Sequence, residues 1–176
     1  SAGTQPATEL PSVWKLKPDG KPAAPTAGTA APSGRRVALV IGNAGYRVSP
    51  LQSAAKDAAA IAEVLASQLS FNSATLKLDL GLDAFRAALR EFSRDASTAD
   101  LALVYFAGHA IEHNGRSFLI PVDAKLDAAD FVVEAIPLDG VLEDIKDARR
   151  LKLVLLDCCR VIPSPLAVRD ASGRRG

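Results

Sequence analysis

Two apolar runs in this chain end in the same way, and that repetition limits the possible folds more than any other feature. Residues 101–109 read LALVYFAGH, and Leu151–Arg160 read LKLVLLDCCR. A run of Leu and Val bounded by charge is the pattern of a strand buried on both faces. In the first run, the small residues Ala107 and Gly108 break the strand before His109. In an open α/β sheet, the residues that follow the carboxyl ends of the strands face the ligand crevice. His109 follows Phe106 by three positions, and Cys159 follows Leu156 by three. As parallel neighbours the two strands would lie about 4.8 Å apart. Equal offsets then bring an imidazole and a thiol to one rim of the sheet, the arrangement of a base beside a nucleophile.

The remaining pattern supplies such a sheet. Residues 36–41 (RVALVI) read as a buried strand stopped by Gly42 and Gly45. Over 53–70, Ala58, Ile61, Ala62, Leu65 and Leu69 fall at helical spacing, with Asp57 in the first turn, where the helix dipole favours an acid. Residues 73–80 alternate as a half-buried strand, and 82–95 form a second helix with Phe85, Ala88, Leu89 and Phe92 on one face. Asn114-Gly115 between apolar flanks predicts a hairpin, because both turn positions favour positive φ. His113 beside it reads as a solvated turn residue. Residues 131–135 read as a short extended piece, and 138–148 as a helix turning Val141, Leu142 and Ile145 inward. Strands alternating with helices mean an α/β fold, a mostly parallel central sheet with helices on both faces.

Composition narrows the function classes. With 176 residues there is room for one domain and a tail, and a net charge of +1 argues against a nucleic-acid or membrane-surface role. The 48% hydrophobic content owes much to alanine, and no apolar run approaches a bilayer span. Residues 1–34 are rich in Pro, Ala, Thr and Gly and read as a linker or tail, with SVWKLK at 12–17 as its one sticky segment. Residues 35–163 form the expected domain, and 164–176 a proline-containing and basic linker with at most a short strand at 166–168. Adjacent Cys158 and Cys159 suit neither a disulfide nor a zinc site and read as thiols. The GNAG turn at 42–45 lacks the lysine and spacing of a phosphate loop.

YFAGHA at 105–110, LLDCCR at 155–160, the opening RVALVIGNAGY and FLIPVDA at 118–124 together resemble a bacterial caspase-like peptidase of clan CD, in its metacaspase and orthocaspase group. The resemblance covers roughly 35–160 and implies a caspase-like three-layer sandwich. It assigns Cys159 as nucleophile, His109 as general acid/base, and the backbone N–H groups of Cys159 and Ala110 as the oxyanion hole. A glycine is usual at the last position, so alanine fits only where its Cβ costs nothing. The resemblance further implies cleavage after Arg or Lys, with Asp57 and Asp157 as the carboxylates that meet the substrate cation. A third residue orienting His109 is not evident.

Relatives continue this large-subunit region with small-subunit strands. Their absence before Gly176 predicts a sheet that stops with the cysteine strand near an uncovered edge. The expected partners are a peptide or protein with Arg or Lys before the scissile bond and the chain's own small-subunit part. Arg169, Arg174 and Arg175 are candidate self-cleavage points or simply a solvated linker. No cofactor is expected: calcium activates some relatives, but Asp127, Asp130 and Glu134 read as surface charge. The alternative readings are a catalytically silent caspase-like module used for binding or scaffolding and, more remotely, a flavodoxin-like ligand binder.

Overall fold

Strand alternation decides which side chains each layer receives. In the computed structural model, which describes residues 34–125 and 131–160, RVALVIG forms strand β1 (Arg36–Gly42). Its Ala38 and Val40 pack with helix α1 (Ala54–Ser67) through Ala54, Ala58, Ala62 and Leu65. Its Val37, Leu39 and Ile41 pack on the opposite face with Phe85, Ala88, Leu89 and Phe92 of helix α2 (Leu82–Ser97). Strand β3 (Leu101–His113) divides in the same way. Leu103, Tyr105 and Ala107 belong to the α1 side, and Ala102, Val104, Phe106 and Ala110 to the α2 side. Helix α3 (Leu138–Asp144) covers the α2 side as well, with Val141 and the following Ile145 fully buried. The result is the expected three layers. Burying each large apolar side chain in them contributes about 1.5–3 kcal/mol.

The α1 layer is built from alanines, which let the helix approach the sheet closely. Gly42 lies where strand and helix are close: a Cβ there would meet the Ala54 carbonyl oxygen and the Ala58 Cβ, each at 2.7 Å. Gly42→Val is therefore expected to cost about 3 kcal/mol through overpacking, read as a lower midpoint in urea denaturation.

Strand β2 (Ser73–Leu78) pairs parallel with β1, and β1 pairs parallel with β3 from Arg36↔Leu101 to Gly42↔Ala107. Beyond that point β4 (Arg116–Leu119) continues antiparallel, from Ala110↔Leu119 to His113↔Arg116, followed by β5 (Ile136–Pro137). The Asn43 N–H donates to the Ala107 carbonyl at 2.8 Å and the Ile120 N–H to the His109 carbonyl at 3.0 Å. Carbonyls two residues apart in a strand point to the same edge. So β1 and β4 succeed one another along one edge of β3, and β6 (Leu151–Arg160) runs parallel along the other. The outer edge of β6 has no strand partner among the described residues.

Several expectations need correction. β3 does not break at Gly108 but runs on through His109 to His113. The glycine serves close approach instead: a Cβ there would lie 2.5 Å from the Phe106 ring and 2.7 Å from the Tyr46 hydroxyl. β6 is not buried on both faces, since Leu155 and Leu156 are 46% and 42% exposed. An edge strand has neighbours on one side only, so its apolar residues are half covered. Residues Phe131–Glu134 form a 3-10 turn rather than an extended piece. The third helix ends at Asp144, and Leu142 faces outward because a two-turn helix buries only the stripe through Val141 and Ile145.

The Asn114-Gly115 turn is as expected, with φ of 51° and 73°. The segments at 12–17, 166–168 and 169–175 lie outside the described residues, as do Asp127 and Asp130. Glu134 accepts the Lys125 N–H at 2.5 Å.

Candidate active site

The loop after β1 shapes the surroundings of His109. Its first N–H groups are all engaged: Asn43 pairs with Ala107, and Ala44 and Gly45 both donate to Asp79 Oδ1 at 2.8 Å. The Ala44 carbonyl then accepts the N–H groups of Tyr46 and Leu51, each at 3.0 Å, closing residues 44–51 into a compact turn. Within it Ser49 has φ of 56°. A left-handed serine costs about 1–2 kcal/mol and persists only where its surroundings enforce it. Here the Ser49 carbonyl lies 2.7 Å from His109 Nε2.

That contact fixes the chemistry of the ring. A carbonyl only accepts, so Nε2 carries the proton and donates it to Ser49. In the neutral imidazole Nδ1 is then the basic nitrogen. His109 is only 6% exposed, and Nδ1 is buried with no hydrogen-bond partner among the described residues. A buried lone pair without a donor is an uncompensated cost in a structural histidine. It is the state needed in a base awaiting a proton.

On the opposite edge of β3, the ladder to β6 pairs Ala107 with Asp157, Gly108 with Cys158 and His109 with Cys159. The two positions singled out from sequence are thus register partners on adjacent parallel strands. Ala110 follows in ordinary strand backbone, paired with Leu119 on one side and Arg160 on the other. Asp157 Oδ2 accepts the Tyr105 hydroxyl at 2.9 Å, and Asp57 stands exposed in the first turn of α1. Burial pushes the Tyr105 hydroxyl well above the usual phenol range, reinforced by its bond to Asp157 and by the charges of Asp157 and Asp57. Both carboxylates therefore act on one buried hydroxyl on the α1 side of the sheet.

A model of the caspase domain, peptidase family C14, matches residues 35–174. The chain belongs to this family. The similar curated proteins include the human mucosa-associated lymphoid tissue lymphoma translocation protein 1, 34% identical over 127 residues, and its mouse homologue, 32% identical over 127 residues. Each match covers 71% of this chain but only 15% of the relative. Both relatives are mammalian, so the finer placement in a bacterial metacaspase and orthocaspase branch finds no support in them.

Around the caspase-domain motifs the structure adds residues to which sequence reasoning gave no role. Ser49 acts through its main chain, which leaves no residue-type signal. Tyr46 and Tyr105 both stand inside the recognised motifs. Asp123, the acid of FLIPVDA, accepts the Leu82 N–H at 2.9 Å and so caps α2 from a distant part of the chain. Cys158 packs on the α2 side, its sulfur 3.8 Å from the Phe106 carbonyl. It lines a hollow of about 170 Å³ with Ala110, Ile111, Glu112, Ser117 and Leu156.

Asn43 is fully buried and ties the region together. Its Nδ2 donates to the carbonyls of Leu80 and Ile120 at 3.2 and 3.3 Å, and its Oδ1 accepts the Leu80 N–H at 2.9 Å. Asn43→Ala leaves the Leu80 N–H without its acceptor, while the Leu80 and Ile120 carbonyls keep the Val122 N–H and the Tyr46 hydroxyl, and is expected to cost about 1–3 kcal/mol, measured as a fall in unfolding free energy in urea. Among the described residues no group of three or more His, Cys, Asp or Glu could hold a metal ion, and no helix is long and apolar enough to cross a membrane.

Proposed function

We propose that this caspase domain is a cysteine endopeptidase that cleaves after Arg or Lys, with Cys159 as nucleophile and His109 as general acid/base. The observation that carries the reading is the state of His109. Its Nε2–H is held on the Ser49 carbonyl, and its buried Nδ1 is left basic one strand away from the Cys159 position. In the proposed reaction Nδ1 takes the thiol proton as sulfur bonds to the peptide carbonyl carbon. The imidazolium, steadied by the Ser49 carbonyl, returns that proton to the leaving amine as the C–N bond breaks. Water, deprotonated by the same nitrogen, then releases the acid and restores the thiol. The N–H groups of Cys159 and Ala110 are assigned to the oxyanion, and Asp57 and Asp157 to the substrate's cationic side chain. Processing of the chain itself at Arg169, Arg174 or Arg175 belongs to the same proposal.

The test is hydrolysis of a fluorogenic peptidyl-arginine amide by the full chain, with the aspartyl analogue as comparison. Release from the arginine peptide alone supports the proposal, and preference for the aspartyl peptide refutes it. One observation favours a second reading, a silent module used for binding. The β3–β6 ladder continues past His109 to Ala110↔Arg160, so Ala110 stands inside the sheet rather than at a free strand end. No turnover of any peptide, together with a Cys159 thiol no more reactive than Cys158, would establish that reading.

A further inference from the structure

The His109 ring is held by more than the Ser49 carbonyl. Tyr46 packs against it with ring centroids 4.4 Å apart and planes inclined at 49°. The Tyr46 hydroxyl accepts the backbone N–H of His109 at 3.0 Å and donates to the Ile120 carbonyl at 2.9 Å. This hydroxyl fills a gap in the sheet. β1 has ended at Gly42 and β4 begins its pairing only at Ala110. At His109 the edge of β3 therefore offers an N–H with no strand opposite, and a side chain from the loop takes the place of a strand. Tyr46 is only 7% exposed, and the glycine at 108 keeps open the space its hydroxyl occupies.

We propose that Tyr46 is a positioning residue for the His109 base: gripping backbone and ring together, it holds Nε2 on the Ser49 carbonyl and so keeps Nδ1 as the basic nitrogen. The proposal rests on the assignment of His109 as the base. Two consequences distinguish positioning from ordinary packing. Tyr46 and Ser49 belong to one closed turn, so Tyr46 sets the distance between the imidazole and its acceptor. The hydroxyl also holds the His109 main chain, from which the χ1 and χ2 angles of the ring are measured. Burial keeps this phenol protonated far into the alkaline range, so its donation to Ile120 persists wherever a thiol peptidase works.

The experiment compares Tyr46→Phe with the unmodified full chain, reading steady-state kinetics and the imidazole 15N spectrum. The chain has only two histidines, so His109 and His113 are readily separated. The phenylalanine keeps the ring contact and loses only the hydroxyl. The expected result is a fall in kcat of about tenfold with KM changed by less than about twofold. At neutral pH the share of His109 protonated at Nε2 should fall in parallel. Unchanged kcat and an unchanged imidazole spectrum would overturn the proposal, as would a loss carried by KM alone.

If Tyr46→Phe does not fold, 3-fluorotyrosine placed at position 46 retains the shape and alters only the hydroxyl's hydrogen bonding. Displaced His109 signals then support the role, and unmoved signals refute it. Should the unmodified chain cleave no peptide, the enzyme reading fails, but the imidazole spectrum of Tyr46→Phe still decides whether Tyr46 sets the state of His109.

Discussion

Cys159→Ala is expected to abolish cleavage of a peptidyl-arginine amide, with kcat reduced on the order of a thousandfold or more. Alanine removes the atom proposed to form the acyl bond, and the paired histidine cannot replace it with water at a comparable rate. The control is Cys158→Ala. Cys158 lies on the α2 side, where its sulfur faces the Phe106 carbonyl. It aligns with Gly108 rather than with the imidazole. This control is expected to lower stability by about 1 kcal/mol through lost packing and to leave kcat within a few-fold. Comparable activity in both alanine variants would mean that Cys159 is not the nucleophile. Loss in the Cys158 variant alone would make Cys158 the nucleophile.

The second large effect concerns the substrate cation. Asp157→Asn and Asp57→Asn are each expected to lower kcat/KM for an arginine peptide by about ten- to a hundredfold, and the double variant to erase the preference for Arg. A guanidinium offers a planar fork of donors, and an amide in place of a carboxylate presents one acceptor and no charge. Tyr105 sharpens the prediction for Asp157. Its hydroxyl already takes Oδ2, which leaves the other oxygen for a ligand and holds the carboxylate in one orientation. Arg and Lys substrates should therefore lose unequally, Arg more, because the fork needs oriented oxygens and a point charge does not. Undiminished cleavage after Arg in the double variant would show that the cation is read elsewhere.

Much of this architecture was legible because apolar period and burial coincide. The stripe at Phe85, Ala88, Leu89 and Phe92 and the equal offsets of His109 and Cys159 were visible as residue types at fixed spacing, and both correspond to observed packing and register. The misreadings share a cause. Gly108 looked like a strand break because small residues do end strands, yet here the glycine makes room for a hydroxyl from another segment. The exposure of Leu155 and Leu156 depends on which strand lies beyond β6, and an apolar run does not encode its own neighbours. Ser49 was invisible for a deeper reason. Its contribution is a main-chain carbonyl aimed by a left-handed φ, and any residue able to adopt that angle supplies the same atom. Asn43, Tyr46 and Asp123 each serve partners between 37 and 77 positions away, beyond the reach of a local pattern.

The seam in β3, where one neighbouring strand hands over to another, divides responsibility for the proposed chemistry. Among the described residues, the groups that grip the imidazole come from residues 43–120, whereas the proposed nucleophile position lies on the strand along the other edge of β3. Damage to one half should therefore leave the other intact. A chain robbed of its thiol would still hold a primed histidine, its readiness recorded in the ring nitrogens even where no bond can be cut.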